Sequence, residues 1–293
     1  MEATKLFDVK VSLPFPEHLP APETRTNITP QDKVVLVTGG AKGIGRMISQ
    51  GFVANGAKVY ISSRDAAACE TAARELTAKG PGTAIALPAD LASLSECERL
   101  ASELQGRHGE TKLHVLVNNS GVAWGAPFET FPDAQWSRVL TLNLQRVFTL
   151  TQLLGPLLEA AQSETPDAET GCPSPASVIN IGSIDALRVP LLDNYSYSAA
   201  KAGLHHLSRV LAAKLGPRGI TVNTLACGPF DTKMTAFAMK TMKKDMEEGN
   251  PMGRIGAPGD VAGACIFLAS RAGSFVNGAT INIDGGVHLM ARM

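Results

Sequence analysis

A tyrosine and a lysine four residues apart, in Tyr195-Ser196-Tyr197-Ser198-Ala199-Ala200-Lys201, open a helical pattern, so Tyr197 and Lys201 share one helical face. A free phenol titrates at about pH 10 and moves protons poorly at neutrality, but an adjacent ammonium favours the phenolate and lowers that value. Such a pair can serve as general acid and base. Tyr195 has no such partner, because Ala199 stands four residues after it. Upstream, Ile179-Asn180-Ile181-Gly182-Ser183 ends a strand pattern and presents Ser183, whose hydroxyl can hold a substrate oxygen while a proton moves. The chemistry these groups suit is proton transfer at a carbonyl or alcohol oxygen.

A second constellation binds anions. Thr38-Gly39-Gly40-Ala41-Lys42-Gly43-Ile44-Gly45 follows an apolar strand and precedes a helical pattern. Glycines there allow a tight turn, close approach of backbone to a pyrophosphate, and near packing of helix on strand, with the helix N-terminus facing the anion. At the end of the next strand, where an acidic side chain would select an unmodified ribose, the sequence places Ser63 and Arg64. A hydroxyl and a guanidinium can hydrogen-bond a 2′-phosphate, and Lys42 adds a second cation, so the expected cofactor is NADP(H).

The spacing T-G-x-x-x-G-x-G, together with Ser183 and Y-x-x-x-K, resembles the short-chain dehydrogenase/reductase family over about residues 33–287. The resemblance implies hydride transfer between a nicotinamide and a ketone or secondary alcohol, with catalytic residues Asn143, Ser183, Tyr197 and Lys201. Asn143 matches the family's water-holding link to the lysine. It implies a cofactor site of Gly39, Lys42, Gly43, Ile44, Gly45, Ser63, Arg64, Asp90 and Leu91 beside the adenine, Asn119 and Gly121, Tyr197 and Lys201, and Gly228, Phe230 and Thr232 at the nicotinamide, with no metal. Ser120 replaces the usual alanine in Asn118-Asn119-Ser120-Gly121, and Cys227 replaces the proline before Gly228. Ser183 and Tyr197 are 14 apart (197 minus 183), one more than in many members, which lengthens a loop at the substrate mouth. Details such as Asn119-Ser120-Gly121-Val122-Ala123-Trp124-Gly125-Ala126 resemble 3-oxoacyl carrier-protein reductases of the rhamnolipid-biosynthesis type. A homotetramer or homodimer through the helices of Asn143 and Tyr197 is implied too.

These side chains require a scaffold. Short β-branched runs at Lys33–Val37, Lys58–Ile61, Thr83–Leu87, Leu113–Val117, Ser177–Ile181, Ile220–Leu225 and Ala279–Ile283 alternate with helical patterns. Their near-continuous hydrophobicity requires cover on both faces, as in a Rossmann-like, doubly wound parallel α/β sheet of about seven strands. One domain is expected over residues 33–293, preceded by an extended proline-rich arm at 1–32 and interrupted by a polar surface loop at 162–175. Met234 to Glu248 carries Met234, Phe237, Met239, Met242 and Met246, and reads as a mobile lid or a core-facing helix.

Composition narrows the partners. Lys plus Arg and Asp plus Glu balance at 27 each, so no field draws nucleic acid or anionic lipid, and a small carbonyl or alcohol substrate is favoured. The scattered Cys69, Cys97, Cys172, Cys227 and Cys265 suit neither a disulfide framework nor a zinc site. With no run long enough to span a bilayer, the expectation is a soluble, cytoplasmic protein, or a peroxisomal one if Ala291-Arg292-Met293 serves as an address. His205 and His206 fall on different helical faces and carry no assigned chemistry. A 3-oxoacyl thioester is the leading substrate class, and Lys240, Lys243, Lys244 or Arg254 could form a basic mouth for its pantetheine phosphate. A cyclic or aromatic ketone and a non-catalytic NADPH sensor are the alternatives.

Overall fold

The computed structural model describes residues 30–162, 174–190, 192–232 and 235–290. The arm through residue 29, most of the 162–175 loop, Met234 and the C-terminal tripeptide lie outside them, as do the side chains of Phe237, Met239 and Met242.

Seven strands form one parallel sheet in the order β3-β2-β1-β4-β5-β6-β7. They are β1 (Val34–Thr38), β2 (Lys58–Ser62), β3 (Thr83–Ala86), β4 (Val115–Asn118), β5 (Ala176–Ile181), β6 (Ile220–Cys227) and β7 (Thr280–Ile283). Each lies within two residues of its sequence expectation at either end. Helices α1 (Gly43–Ala54), α2 (Ala66–Thr77), α3 (Leu94–Gln105), α4 (Asp133–Leu140), α5 (Arg146–Leu153), α6 (Gly155–Glu159), α7 (Tyr195–Leu215), α8 (Ala236–Glu248) and α9 (Pro258–Ala269) make the connections.

Two cores sandwich the sheet, which is why its central strands read as unbroken apolar runs. Val35, Val37, Val59 and Ile179 turn to one face, against Ile48 and Phe52 of α1 and Val261 and Cys265 of α9. Leu36, Tyr60, Leu116 and Val178 turn to the other, against Leu100 of α3, Leu150 of α5 and Leu211 of α7. The chain order reverses direction at β1 and β4, and ligands of such sheets bind at the carboxyl ends of the strands beside that switch point.

Asn143 lies in a π turn, Thr141–Gln145, that joins α4 to α5. The wider turn re-aims the chain by part of a residue's rotation, a device common at functional sites. No described helix is long and apolar enough to cross a membrane.

Candidate active site

The glycine turn is closed from above by the end of β4. Thr38 Oγ1 accepts the backbone N–H groups of Asn119 and Ser120, each at 2.9 Å, and Asn119 Nδ2 donates to Thr38 O at 2.9 Å. This brings Asn119 so near that a Cβ on Gly45 would stand 2.4 Å from its Nδ2 and 2.3 Å from Gly39 O. Only glycine fits. Gly39 and Gly43 have positive φ, 64° and 54°, and Gly43 lies against the side chain of Thr232, so the turn meets the loop after β6. Ile44 packs against the core, pinning the first turn of α1. The N-cap residue of α1, Lys42, makes no side-chain cap and no acid lies in the first turn, which leaves the leading N–H groups for an anion. By contrast Asp65 caps α2, accepting from Ala68 N at 3.0 Å.

The cationic corner is organised rather than loose. Lys42 Nζ lies 2.6 Å from the Asp65 carboxylate, with both side chains about half exposed, at 50% and 48%. Arg64 is exposed beside them, and Ser63 Oγ contacts Cys69 Sγ and Asp65. Asp90 is exposed, its carboxylate accepting from Ala92 N at 3.1 Å, while Leu91 is buried beneath.

The catalytic candidates meet at the exit of β5. Ser183 is buried, its Oγ accepts from Asp185 N at 3.1 Å, and its hydroxyl lies close enough to that of Tyr197 to favour the phenolate. Lys201 is buried, donating from Nζ to Ile181 O at 2.6 Å and lying 5.6 Å from the centre of the Tyr197 ring. Tyr195 points elsewhere, donating to Asp193 Oδ1 at 3.0 Å and meeting Phe128 and Phe131 edge-on.

The electrostatics correct one expectation. The Tyr197 hydroxyl sits well above its ordinary value, not below it, because burial raises it and the Asp185 and Cys227 side chains add to the rise; the Ser183 hydroxyl opposes them. Lys201 Nζ lies 5.6 Å from the centre of the ring and donates to Ile181 O. Burial lowers Lys201 itself to about 8, with Cys227 opposing that shift.

Asn143 is fully buried, and its side chain clamps Val122, accepting Val122 N–H at 2.8 Å and donating to Val122 O at 2.7 Å. A Cβ on Gly121 would be 3.0 Å from its Oδ1. The Asn143 side chain therefore fixes the segment after Asn119.

After β6, Gly228 N donates to Ile283 O and a Cβ there would stand 2.7 Å from Asp284 Cβ, so Gly228 permits close contact with β7. The Phe230 ring is buried against Gly256, and Phe230 O accepts from Thr235 Oγ1 at 2.6 Å. Thr232 Oγ1 pairs with Thr235 Oγ1 at 3.0 Å. Cys227 is buried and its thiol is pushed up to about 12, which removes it as a nucleophile.

Of the basic residues expected at the mouth, Arg254 is taken by both oxygens of Asp260, at 2.6 and 3.0 Å. Lys243 and Lys244 face Glu247 and Glu248 at 3.8 and 3.5 Å along α8. The exposed side chains that follow Ser183 are largely apolar: Leu187, Val189 and Leu192.

Sequence reading missed a buried polar chain beneath the site. Asn118 Nδ2 donates to Asn180 Oδ1 at 2.9 Å and to Thr151 Oγ1 at 3.3 Å, and Asn180 Nδ2 donates to Ser208 Oγ at 2.8 Å. It ties β4 and β5 to α5 and α7, so the catalytic helix is registered against the sheet. Strand-end asparagines paired in register were the available signal.

Comparison with known proteins agrees with this geometry. A family model described as Enoyl-(Acyl carrier protein) reductase matches residues 39–288. A Pseudomonas aeruginosa protein, rhamnolipids biosynthesis 3-oxoacyl-[acyl-carrier-protein] reductase, is 43% identical over 261 residues, covering 88% of this chain and 96% of its own. The structure of the Pseudomonas aeruginosa RhlG/NADP active-site complex superposes with a TM-score of 0.82 at 40% identity, covering 90% of this chain and 99% of that one. A galactitol 2-dehydrogenase (L-tagatose-forming) of Cereibacter sphaeroides is 33% identical over 255 residues, covering 85% of this chain and 92% of its own. Fold, site geometry and these likenesses together establish that the chain belongs to the short-chain dehydrogenase/reductase family.

Proposed function

We propose that this chain is an NADP(H)-dependent oxidoreductase that interconverts a ketone and a secondary alcohol, with a 3-oxoacyl thioester or related ketone as substrate. The observation that carries the reading is the convergence of Ser183, Tyr197 and Lys201 at the exit of β5, two strands from the turn after β1 in which Gly39, Gly43 and Gly45 are required. That turn fits a dinucleotide: the free N–H groups at the α1 N-terminus would hold the pyrophosphate, and Lys42, Ser63 and Arg64 would hold a 2′-phosphate. Asp90, Leu91, Asn119 and Gly121 would hold the adenosine part, and Gly228, Phe230 and Thr232 the nicotinamide part.

When bound, the dinucleotide supplies or accepts the hydride. The chain does the rest. Ser183 Oγ holds the substrate oxygen and Tyr197 donates its proton to that oxygen in reduction, a phenol being protonated at neutral pH. Lys201 places its positive charge near the phenolate left behind, while Asn143 fixes the Gly121–Val122 segment. Leu187, Val189 and Leu192 give an acyl chain an apolar rim, in line with the carrier-protein reductase relatives. Exposed Phe148 on α5 and Val210 on α7 support assembly of a homodimer or homotetramer through these helices.

The test is NADPH consumption against 3-oxoacyl thioesters and cyclic ketones, with NADH in parallel. Wild type should turn over with NADPH, and Tyr197→Phe should lose at least about a hundredfold in rate while still binding NADPH. Turnover that persists in Tyr197→Phe would refute the assignment.

A further inference from the structure

The helix that carries Tyr197 and Lys201 holds a third side chain against the same strand exit. His205 is one turn beyond Lys201 and is buried, whereas His206 beside it is exposed. The His205 ring lies under Gly182: a Cβ there would be 2.2 Å from Nε2 and 2.9 Å from Cδ2. The next amide, Ser183 N–H, donates to Nε2 at 3.4 Å. Lys201 holds Ile181 O one residue earlier, and Gly182 N donates to Leu225 O of β6 at 2.8 Å. Three successive residues, Ile181 to Ser183, are thus gripped between α7 and β6.

We infer that His205 is a positioning residue that sets the Ser183 hydroxyl by holding the Ser183 backbone through its Nε2 acceptor, an inference that rests on the catalytic reading of Ser183. Nε2 can accept only if the ring is neutral with its proton on Nδ1. Burial, then the charges of Lys201 and Arg209, lowers the imidazole to about 4, so it is neutral at physiological pH. Nδ1 is buried with no hydrogen-bond partner among the described residues. Leaving that donor unpaired is costly. An apolar side chain would avoid the cost and could still pack on Gly182, so the ring is explained by what Nε2 does. The bond is long, at 3.4 Å, and the ring can reach the amide because Gly182 has no side chain to fill the space that the ring occupies.

The test uses three variants of the full chain. Gln in place of His205 puts an acceptor near the position of Nε2, Asn reaches only as far as Nδ1, and Leu fills the space with no acceptor. We expect His205→Leu and His205→Asn to lower kcat by about tenfold or more with the NADPH dissociation constant little changed, and His205→Gln to recover most of the loss. Hydrogen–deuterium exchange of a peptide spanning Gly182 to Leu187 should quicken in the Leu and Asn variants and stay near wild type in Gln. If His205→Leu does not fold, the Gln and Asn pair decides alone. The inference is overturned if His205→Asn keeps wild-type kcat and exchange, or if His205→Gln falls as far as His205→Asn. If wild type reduces no carbonyl, the oxidoreductase reading fails on that result, and the exchange contrast still decides whether His205 holds Ser183.

Discussion

Replacing Thr38 with valine keeps the shape of the side chain and removes its hydroxyl. That hydroxyl accepts from Asn119 N and Ser120 N, each at 2.9 Å, and donates to Val117 O at 3.3 Å. Two backbone donors then lose their acceptor, each costing about 1–3 kcal/mol when buried. Asn119 and Ser120 are partly exposed, so water restores some of this, and the expected loss is about 2 kcal/mol in total. For a chain of this size that lowers Tm by about 4–8 °C. Urea denaturation should show a lower midpoint at unchanged slope. NADPH affinity should fall as well, because Asn119 borders Gly39 and Gly45. Thr38→Ser retains the oxygen and loses one methyl, so it should sit near wild type. If Thr38→Val stays within about 0.5 kcal/mol of wild type, the double acceptor is not what closes the turn. A loss in Thr38→Ser as large as in Thr38→Val would exclude it equally, since the serine keeps the acceptor.

Two other perturbations probe charge. Arg64→Ala should raise the NADPH dissociation constant about tenfold, near 1.4 kcal/mol, and leave NADH binding unchanged in fluorescence titrations; an equal loss for both would show that Arg64 does not read the 2′-phosphate. His114 Nδ1 accepts Val34 N–H at 3.0 Å, and burial, then Lys33 and Lys112, lowers it from 6.5 to about 4. As pH falls from 6.5 towards 4 the unfolded chain takes up this proton before the folded one, so stability is full above 6.5 and is lost across that window. Urea midpoints followed down in pH should show that loss, and His114→Asn, which keeps an acceptor that does not titrate, should flatten it; an unaltered slope in the variant would exclude His114 as a source.

The sheet was legible because its strands are buried on both faces, and runs such as Val34-Val35-Leu36-Val37 leave little choice of element. The glycine turn was legible because its geometry demands a residue type. The electrostatics were not. The spacing of Tyr197 and Lys201 gives a shared helical face, but it cannot show that Lys201 Nζ donates to Ile181 O or that burial raises the phenol. The same limit hid the π turn at Asn143, since π and α turns differ by a single residue in hydrogen-bond spacing. His205 was invisible for another reason: its partners, Gly182 and the Ser183 amide, are backbone groups, which carry no side-chain signature.

The Lys42–Asp65 pair makes anion capture at this corner an exchange reaction. The ammonium already has a counterion, and Asp65 cannot diffuse away because its other oxygen caps α2. A stray inorganic anion must compete with that tethered carboxylate from bulk solution, at its bulk concentration. A phosphate carried on a dinucleotide competes at the far higher effective concentration set by the ligand's other contacts. The half-exposed pair is worth at most about 1 kcal/mol, low enough to yield to the tethered competitor. Its salt sensitivity should be shallow as well, since screening weakens the outgoing and incoming partners of Lys42 alike.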